Sequence, residues 1–166
     1  MLTIQEKVRF LRDIPTFDSL SAEQIEELAA LCETQTFATS SYIFRQGDLG
    51  NSLFVIVDGR VAIEREVSSA TDTVSLTIVG PHEYFGEMSL FYHVPRTVTA
   101  TTMEDTVVLQ IRQEAFMAFA YQNPDLLLEL NQILSQRLVE AHDKIAEVTR
   151  SRKPRELQKL YEKLDF

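Results

Sequence analysis

The sequence predicts an α+β fold: an antiparallel β-barrel with helices before it and a long helix after it. Three observations carry that reading. Between Thr34 and Arg112, Thr, Val, Ile, Phe and Tyr dominate and turn signals recur at short intervals, as in a run of short strands. Outside that region the apolar residues return at helical spacing. Many short strands close into a sandwich or barrel because closure removes exposed edges. The 166 residues, 45% of them hydrophobic, are enough for one domain with a proper core.

The elements follow in order. Ile4, Val8 and Leu11 predict a helix over residues 3–12, stopped before Pro15. Ser21-Ala22-Glu23-Gln24 reads as an N-cap with acceptors in the first turn. It opens a second helix from Ala22 to about Cys32, with Ile25, Leu28, Ala29 and Cys32 on one face. Strands are expected at 35–39, 42–45, 53–57, 60–67, 73–79, 97–102 and 106–112. Gly47-Asp48 and Asp58-Gly59 make turns between them, and Ser68 to Asp72 is a polar hairpin tip. Ala115 to Tyr121 is helical again. Asn123 is then expected to cap a long helix that has Pro124 at its first position and runs to about Arg150.

That helix carries the seam Leu127, Leu130, Leu134, Leu138, Ala141, Ile145 and Val148, whose mean step is close to the coiled-coil period. The plainer reading is that the first half of this helix packs on the barrel; the sharper one is that the second half pairs with a copy of itself, with Leu126, Leu128 and Ile133 as a separate barrel-facing stripe. A homodimer through residues 124–150 is therefore expected. Arg150, Arg152, Lys153 and Arg155, broken by Pro154, read as a solvated linker. Leu157, Leu160, Tyr161 and Leu164 put a short helix over 156–164. The domain is thus 1–150, with helices in 3–32, the barrel in 34–112 and C-terminal helices in 113–150. Residues 151–166 are a basic linker and a short helix.

The formal net charge of −9 argues against nucleic acid, which needs basic surface. Residues 1–120 hold 17 acidic and 8 basic side chains, whereas residues 121–166 hold 8 of each. Arg96 is the only basic residue between Arg65 and Arg112. An arginine so isolated in an acidic domain is a candidate for binding an anion; the plainer reading is a structural salt bridge, for instance to Glu87. Cys32 is the one cysteine, so no internal disulfide forms and a reducing compartment is expected. Its neighbours make it a core residue. No secretory signal is visible, and the longest apolar run, Ala115 to Tyr121, is too short to span a bilayer. A cytoplasmic protein is expected.

The chemistry concentrates in Tyr84 to Ala100, Y-F-G-E-M-S-L-F-Y-H-V-P-R-T-V-T-A. Gly86 has no Cβ and lets a ligand approach its backbone. Glu87 to Tyr92 reads as a short helical turn whose free amides suit an anion. Pro95 fixes the chain direction into Arg96, whose planar fork of donors suits a phosphate. Glu87 only accepts hydrogen bonds, so it suits a ribose hydroxyl. These residues point to a small ligand with an anion at one end and a sugar hydroxyl beside it.

This stretch resembles the phosphate-binding cassette of the cyclic nucleotide-binding domain family, which includes catabolite activator proteins, the regulatory subunits of cyclic-AMP-dependent kinase and cyclic-nucleotide-gated channels. The matching residues are Phe85-Gly86-Glu87, Ser89-Leu90 and Pro95-Arg96-Thr97, and the step from Glu87 to Arg96 equals the kinase-type spacing. Pro15, Phe17 and Leu20-Ser21 before the barrel also look like the family, as does the segment from Phe44 to Val61. The resemblance implies a double-stranded jelly roll. It implies that Glu87 takes the ribose 2′-hydroxyl and Arg96 the cyclic phosphate. Thr97 and the backbone of Gly86, Met88 and Ser89 complete the implied cradle, flanked by Phe85 and Pro95. The family usually has glycine where His82 stands, a departure expected to alter the local turn and leave the cradle intact.

The implied ligand is cyclic AMP on family frequency, with cyclic GMP also permitted by Thr97; Arg137, Ala141 and His142 are candidates by position for capping the base. Transcription factors of the family carry a helix-turn-helix module after the long helix. Too few residues follow Arg150 for one, so this chain by itself is not expected to bind DNA, and its output passes to a partner protein or through the dimer. One alternative is a ligand-free barrel kept as an interaction or dimerisation module. The other is an enzyme, but His82, His93 and His142 form no metal-ligand pattern and no catalytic motif is present, so no catalysis and no cofactor are expected.

Overall fold

The structure, a computed structural model, describes residues 1–66, 73–91 and 94–150, with side chains to 147. It opens with helix α1, Ile4–Arg12, and a single 3-10 turn at Pro15–Phe17. Helix α2, Ala22–Leu31, follows. Both α-helices start with reciprocal caps. The Thr3 amide donates to Glu6 Oε2 at 2.7 Å, and the Ser21 amide donates to Gln24 Oε1 at 2.6 Å, while each hydroxyl accepts the returning backbone N–H. Cys32 closes α2 as a core residue; its thiol donates to the Leu28 carbonyl at 3.2 Å, and burial pushes its pKa up to about 12.

Eight strands follow: β1 (Glu33–Phe37), β2 (Tyr42–Phe44), β3 (Ser52–Asp58), β4 (Val61–Glu66), β5 (Thr73–Val79), β6 (Tyr84–Phe85), β7 (Thr99–Thr102) and β8 (Thr106–Arg112). Between β6 and β7 lies the short helix α3, Met88–Phe91. One sheet has the order β1-β8-β3-β6 and the other β2-β7-β4-β5, with antiparallel pairing throughout. Phe44, Phe54, Ile56, Val61, Ile63, Val79, Phe85, Ala100 and Val108 form one buried cluster drawn from both sheets. Gly47 and Gly59 both sit at φ +90°, the turn role their positions predict. A Cβ on Gly59 would come within 2.5 Å of Thr106 Oγ1, so that turn also packs against the start of β8. The edge strand β5 is uncharged along its whole length and leaves Val74, Leu76 and Ile78 about half exposed.

Several limits differ from those the sequence predicts, and two elements are additional, the 3-10 turn at Pro15–Phe17 and β6. β1 starts two residues earlier than expected, β7 starts at Thr99 instead of 97, and α3 is confined to Met88–Phe91 within the wider turn foreseen. β6 was not anticipated as a strand, because two residues carry no periodicity. It exists through its pairing to β3, Phe54 to Phe85 and Val55 to Tyr84. The hairpin tip at 68–72, Tyr92, His93 and the segment 151–166 lie outside the described residues.

After β8 come α4, Gln113–Gln122, and α5, Pro124–Arg150. Asn123 does not spend its side chain on capping α5. Its amide donates to the Phe119 carbonyl at 2.7 Å and its carbonyl accepts from Gln24 of α2, so it ties the end of α4 to the N-terminal helices. The chain divides into two compact units, Met1–Leu126 and Leu127–Phe166. In the first, Leu126 is fully buried. In the second, Leu128, which the sequence assigned to a barrel-facing stripe, is 61% exposed, and Leu138, Val139 and Ile145 are exposed as well. Among the described residues no helix is long and apolar enough to cross a membrane.

Candidate functional site

The site is assembled on the chain reversal between β6 and β7. Gly86 follows β6 at φ +85°, a conformation that L side chains rarely adopt. A Cβ there would lie 2.7 Å from Arg96 Nη1 and 3.1 Å from the Ser52 carbonyl oxygen. Its missing side chain is what lets the arginine lie against the backbone at this point.

Arg96 is held at both ends. Its main-chain N–H donates to the Asp48 carbonyl at 2.8 Å, and its carbonyl accepts from Gly47 N–H at 2.8 Å. The Gly47-Asp48 turn therefore fixes where the side chain starts. Its guanidinium is buried, lying 4.1 Å above the Phe44 ring and 5.7 Å from the Phe54 ring. Nη1 donates to the Gly86 carbonyl at 3.0 Å and to Ser89 Oγ at 2.6 Å, and Nη2 donates to the Ser52 carbonyl at 2.8 Å. Nε is buried with no hydrogen-bond partner. Burial holds the Arg96 pKa below its ordinary value, partly offset by the charges of Glu87 and Asp48. A guanidinium keeps its proton under such opposing pulls, so the site holds a fixed cation whose Nε has no acceptor.

The other residues expected in the cradle divide by exposure. Glu87 is buried, only 8% exposed, beside this cation. Ser89 is buried, accepts from Arg96, and donates its hydroxyl to the Gly86 carbonyl at 3.0 Å. Met88, Pro95 and Thr97 are exposed at the rim; the Thr97 hydroxyl is 4.0 Å from the Met88 sulfur. The Phe85 side chain lies in the inter-sheet core, its ring stacked 5.4 Å from Phe54 and tilted 5.8 Å from Phe44. It supports the aromatic floor under Arg96. Arg137, Ala141 and His142 are exposed in α5, in the second unit.

His82, at the position where glycine was expected, takes φ +68°. The turn thus keeps a left-handed conformation with a side chain on it. The imidazole stacks on Phe10 of α1 at 4.5 Å with 21° between the rings. The N–H of His82 donates to the Ile56 carbonyl at 3.0 Å, which holds this turn to β3. The cradle downstream is formed as described.

Several contributors escaped the sequence reading. Ser52 acts through its carbonyl, which any residue type has, so no side-chain signal existed. Phe44 and Phe54 look like ordinary core residues, and they are core residues as well as a floor. Gly50 was legible in principle as a glycine near a turn. A Cβ on it would meet Arg96 Nε and Ser89 Oγ at 2.7 Å each. Among the described residues no group of three or more His, Cys, Asp or Glu side chains is placed to hold a metal.

A family model described as the cyclic nucleotide-binding domain matches residues 34–123, which span β1 to the end of α4. The chain is 30% identical over 131 residues to a cyclic AMP receptor protein of Thermus thermophilus, a match covering 79% of this chain and 60% of that protein. It is 31% identical over 113 residues to a cAMP-dependent protein kinase regulatory subunit of Dictyostelium discoideum, covering 67% of this chain and 33% of the relative. Among solved structures, the Thermus thermophilus catabolite activator protein superposes with a TM-score of 0.75 at 30% identity, covering 81% of this chain and 63% of that one. The chain thus spans about 60% of the length of the first of these relatives and a third of the second.

Proposed function

From the premise that the chain belongs to the cyclic nucleotide-binding domain family, we propose that it is a regulatory sensor whose ligand is a cyclic nucleotide. The observation that carries this reading is the Arg96 guanidinium: buried, charged, positioned at both ends, and with its buried Nε unpaired. An uncompensated buried donor is costly, and an incoming anionic oxygen is the natural remedy. In this reading Arg96 binds the cyclic phosphate and Glu87 accepts from the ribose 2′-hydroxyl. Backbone groups of Gly86, Met88 and Ser89 line the phosphate, and Thr97 stands at the rim toward the base. Cyclic AMP is the first candidate. The exposed Thr97 hydroxyl also admits cyclic GMP.

The chain acts by binding, in the cytoplasm, without a cofactor or catalysis of its own. Ligand favours one placement of the helices after Arg112, a population shift limited by the differential affinity for the two states. The exposed residues Leu138, Val139 and Ile145 support pairing of α5, through residues 124–150, with a second copy. An effector protein receives the output.

Thermal unfolding with cyclic AMP, cyclic GMP and 5′-AMP tests the proposal. At about 100 times its dissociation constant a ligand stabilises the native state by roughly 2.7 kcal/mol. A shift with a cyclic nucleotide and none with 5′-AMP is the expected outcome. One observation favours a second reading, a ligand-free interaction module: three of the guanidinium's hydrogen bonds already go to acceptors within the chain. No shift with either cyclic nucleotide selects that second reading.

A further inference from the structure

Helix α4 begins directly after β8 with Arg112 at its N-cap, a side chain that only donates and so cannot cap. The first free amide of the helix, that of Gln113, donates instead to the Asn51 carbonyl at 2.7 Å. The Gln113 side chain donates from Nε2 to the Leu90 carbonyl, also at 2.7 Å. A carbonyl partner decides which end of the side-chain amide must face it. Leu90 belongs to α3, which is too short to pair its last carbonyls internally.

One half-buried residue therefore grips two segments at once. Asn51 sits between Gly50 and Ser52, and Leu90 follows Ser89. Those neighbours are the walls of the cradle: the Ser52 carbonyl and Ser89 Oγ hold the Arg96 guanidinium, and Gly50 packs over its Nε and over Ser89. An anion that engages Arg96 competes with the same acceptors, so any adjustment of Ser89 or Ser52 is passed to a residue whose backbone is the first turn of α4.

We infer that Gln113 is the positioning residue that couples occupancy of the Arg96 cradle to α4. This rests on the sensor reading above. The coupling runs through one side-chain hydrogen bond, so it is separable from ligand contact itself. Among the described residues Gln113 makes its hydrogen bonds to Leu90 and Asn51 and to none of the proposed phosphate or ribose groups.

The experiment is amide hydrogen exchange over residues 113–122, with and without saturating cyclic AMP, or cyclic GMP where only that binds. It compares wild type, Gln113→Ala, Gln113→Glu and Gln113→Lys, with affinities measured in parallel. In the wild type, ligand slows exchange in α4. Gln113→Ala and Gln113→Glu, which offer no donor to Leu90, lose that slowing while binding ligand within about threefold of wild type, the scale of a substitution away from the contacts. Gln113→Lys, which retains a donor, restores it. Slowing that persists in both donor-less variants overturns the inference, as does wild-type α4 exchange indifferent to bound ligand. So does a tenfold or greater loss of affinity in the two variants, which would place Gln113 in the site itself. Failure of the wild type to bind either nucleotide is the separate outcome that removes the sensor reading and this coupling with it.

Discussion

The cradle around Arg96 and the later part of α5 obey opposite rules. In the cradle a charged side chain is buried and its polar partners come from three segments: Gly86 with Ser89, Ser52, and the Gly47-Asp48 turn. In α5 the seam residues Leu138 and Ile145 are exposed, and what relates them is a period. The first region is specified by individual atoms and is intolerant of single changes. The second is specified by a pattern, and a single change there leaves the fold of its own unit standing.

The sharpest break of that comparison is Arg96→Ala. Removing one partner of a desolvated charge pair costs roughly 2–5 kcal/mol, about 30- to 4,000-fold in affinity. Titration calorimetry is expected to show loss of cyclic nucleotide binding at micromolar ligand, with a smaller loss for Glu87→Ala, which surrenders one hydroxyl bond. Equal affinity for wild type and Arg96→Ala would remove the arginine from the site.

A smaller effect, on the fold itself, is expected at Gly86. Alanine there must adopt φ +85° and place its Cβ 2.7 Å from Arg96 Nη1. The backbone strain alone is worth about 1–3 kcal/mol, read as a lowered midpoint in urea unfolding without ligand. A variant as stable as wild type would mean that the reversal relaxes, and the rule of intolerance would not hold for the cradle.

The smallest effect on stability belongs to α5. Leu138→Glu places a charge on an exposed apolar position, and for the monomer's stability such surface changes stay within about 0.5 kcal/mol. Light scattering is expected to show loss of the dimer while cyclic nucleotide affinity is retained. A dimer that survives the change would move the pairing surface away from this seam.

The same contrast explains what could be read from the chain. The strand run, the Ser21 cap and the long helix were legible because they depend on local chemistry and period. The Arg96 site was legible because glycine, glutamate, serine and arginine fall at fixed offsets in one short segment. Legibility failed where a role depends on a distant partner. β6 is a strand only because β3 lies beside it, and the Ser52 carbonyl matters only because Arg96 reaches it. Asn123-Pro124 reads as an ordinary helix start, but Gln24, far away in sequence, claims the asparagine carbonyl. No window of local sequence contains both partners in any of these cases.

The turn at His82 has a consequence for how this chain can change over time. A non-glycine residue in the left-handed region carries a backbone cost of order 1–3 kcal/mol, and an aromatic stack of the kind made with Phe10 returns about 0.5–1.5 kcal/mol. The two positions are therefore epistatic. Replacing Phe10 while histidine remains leaves the strain without its offset, whereas the same replacement after His82→Gly costs little beyond the lost burial. The cost of a change at one position is conditional on the state of the other, so α1 and the turn before the cradle are energetically coupled although some seventy residues separate them in the chain.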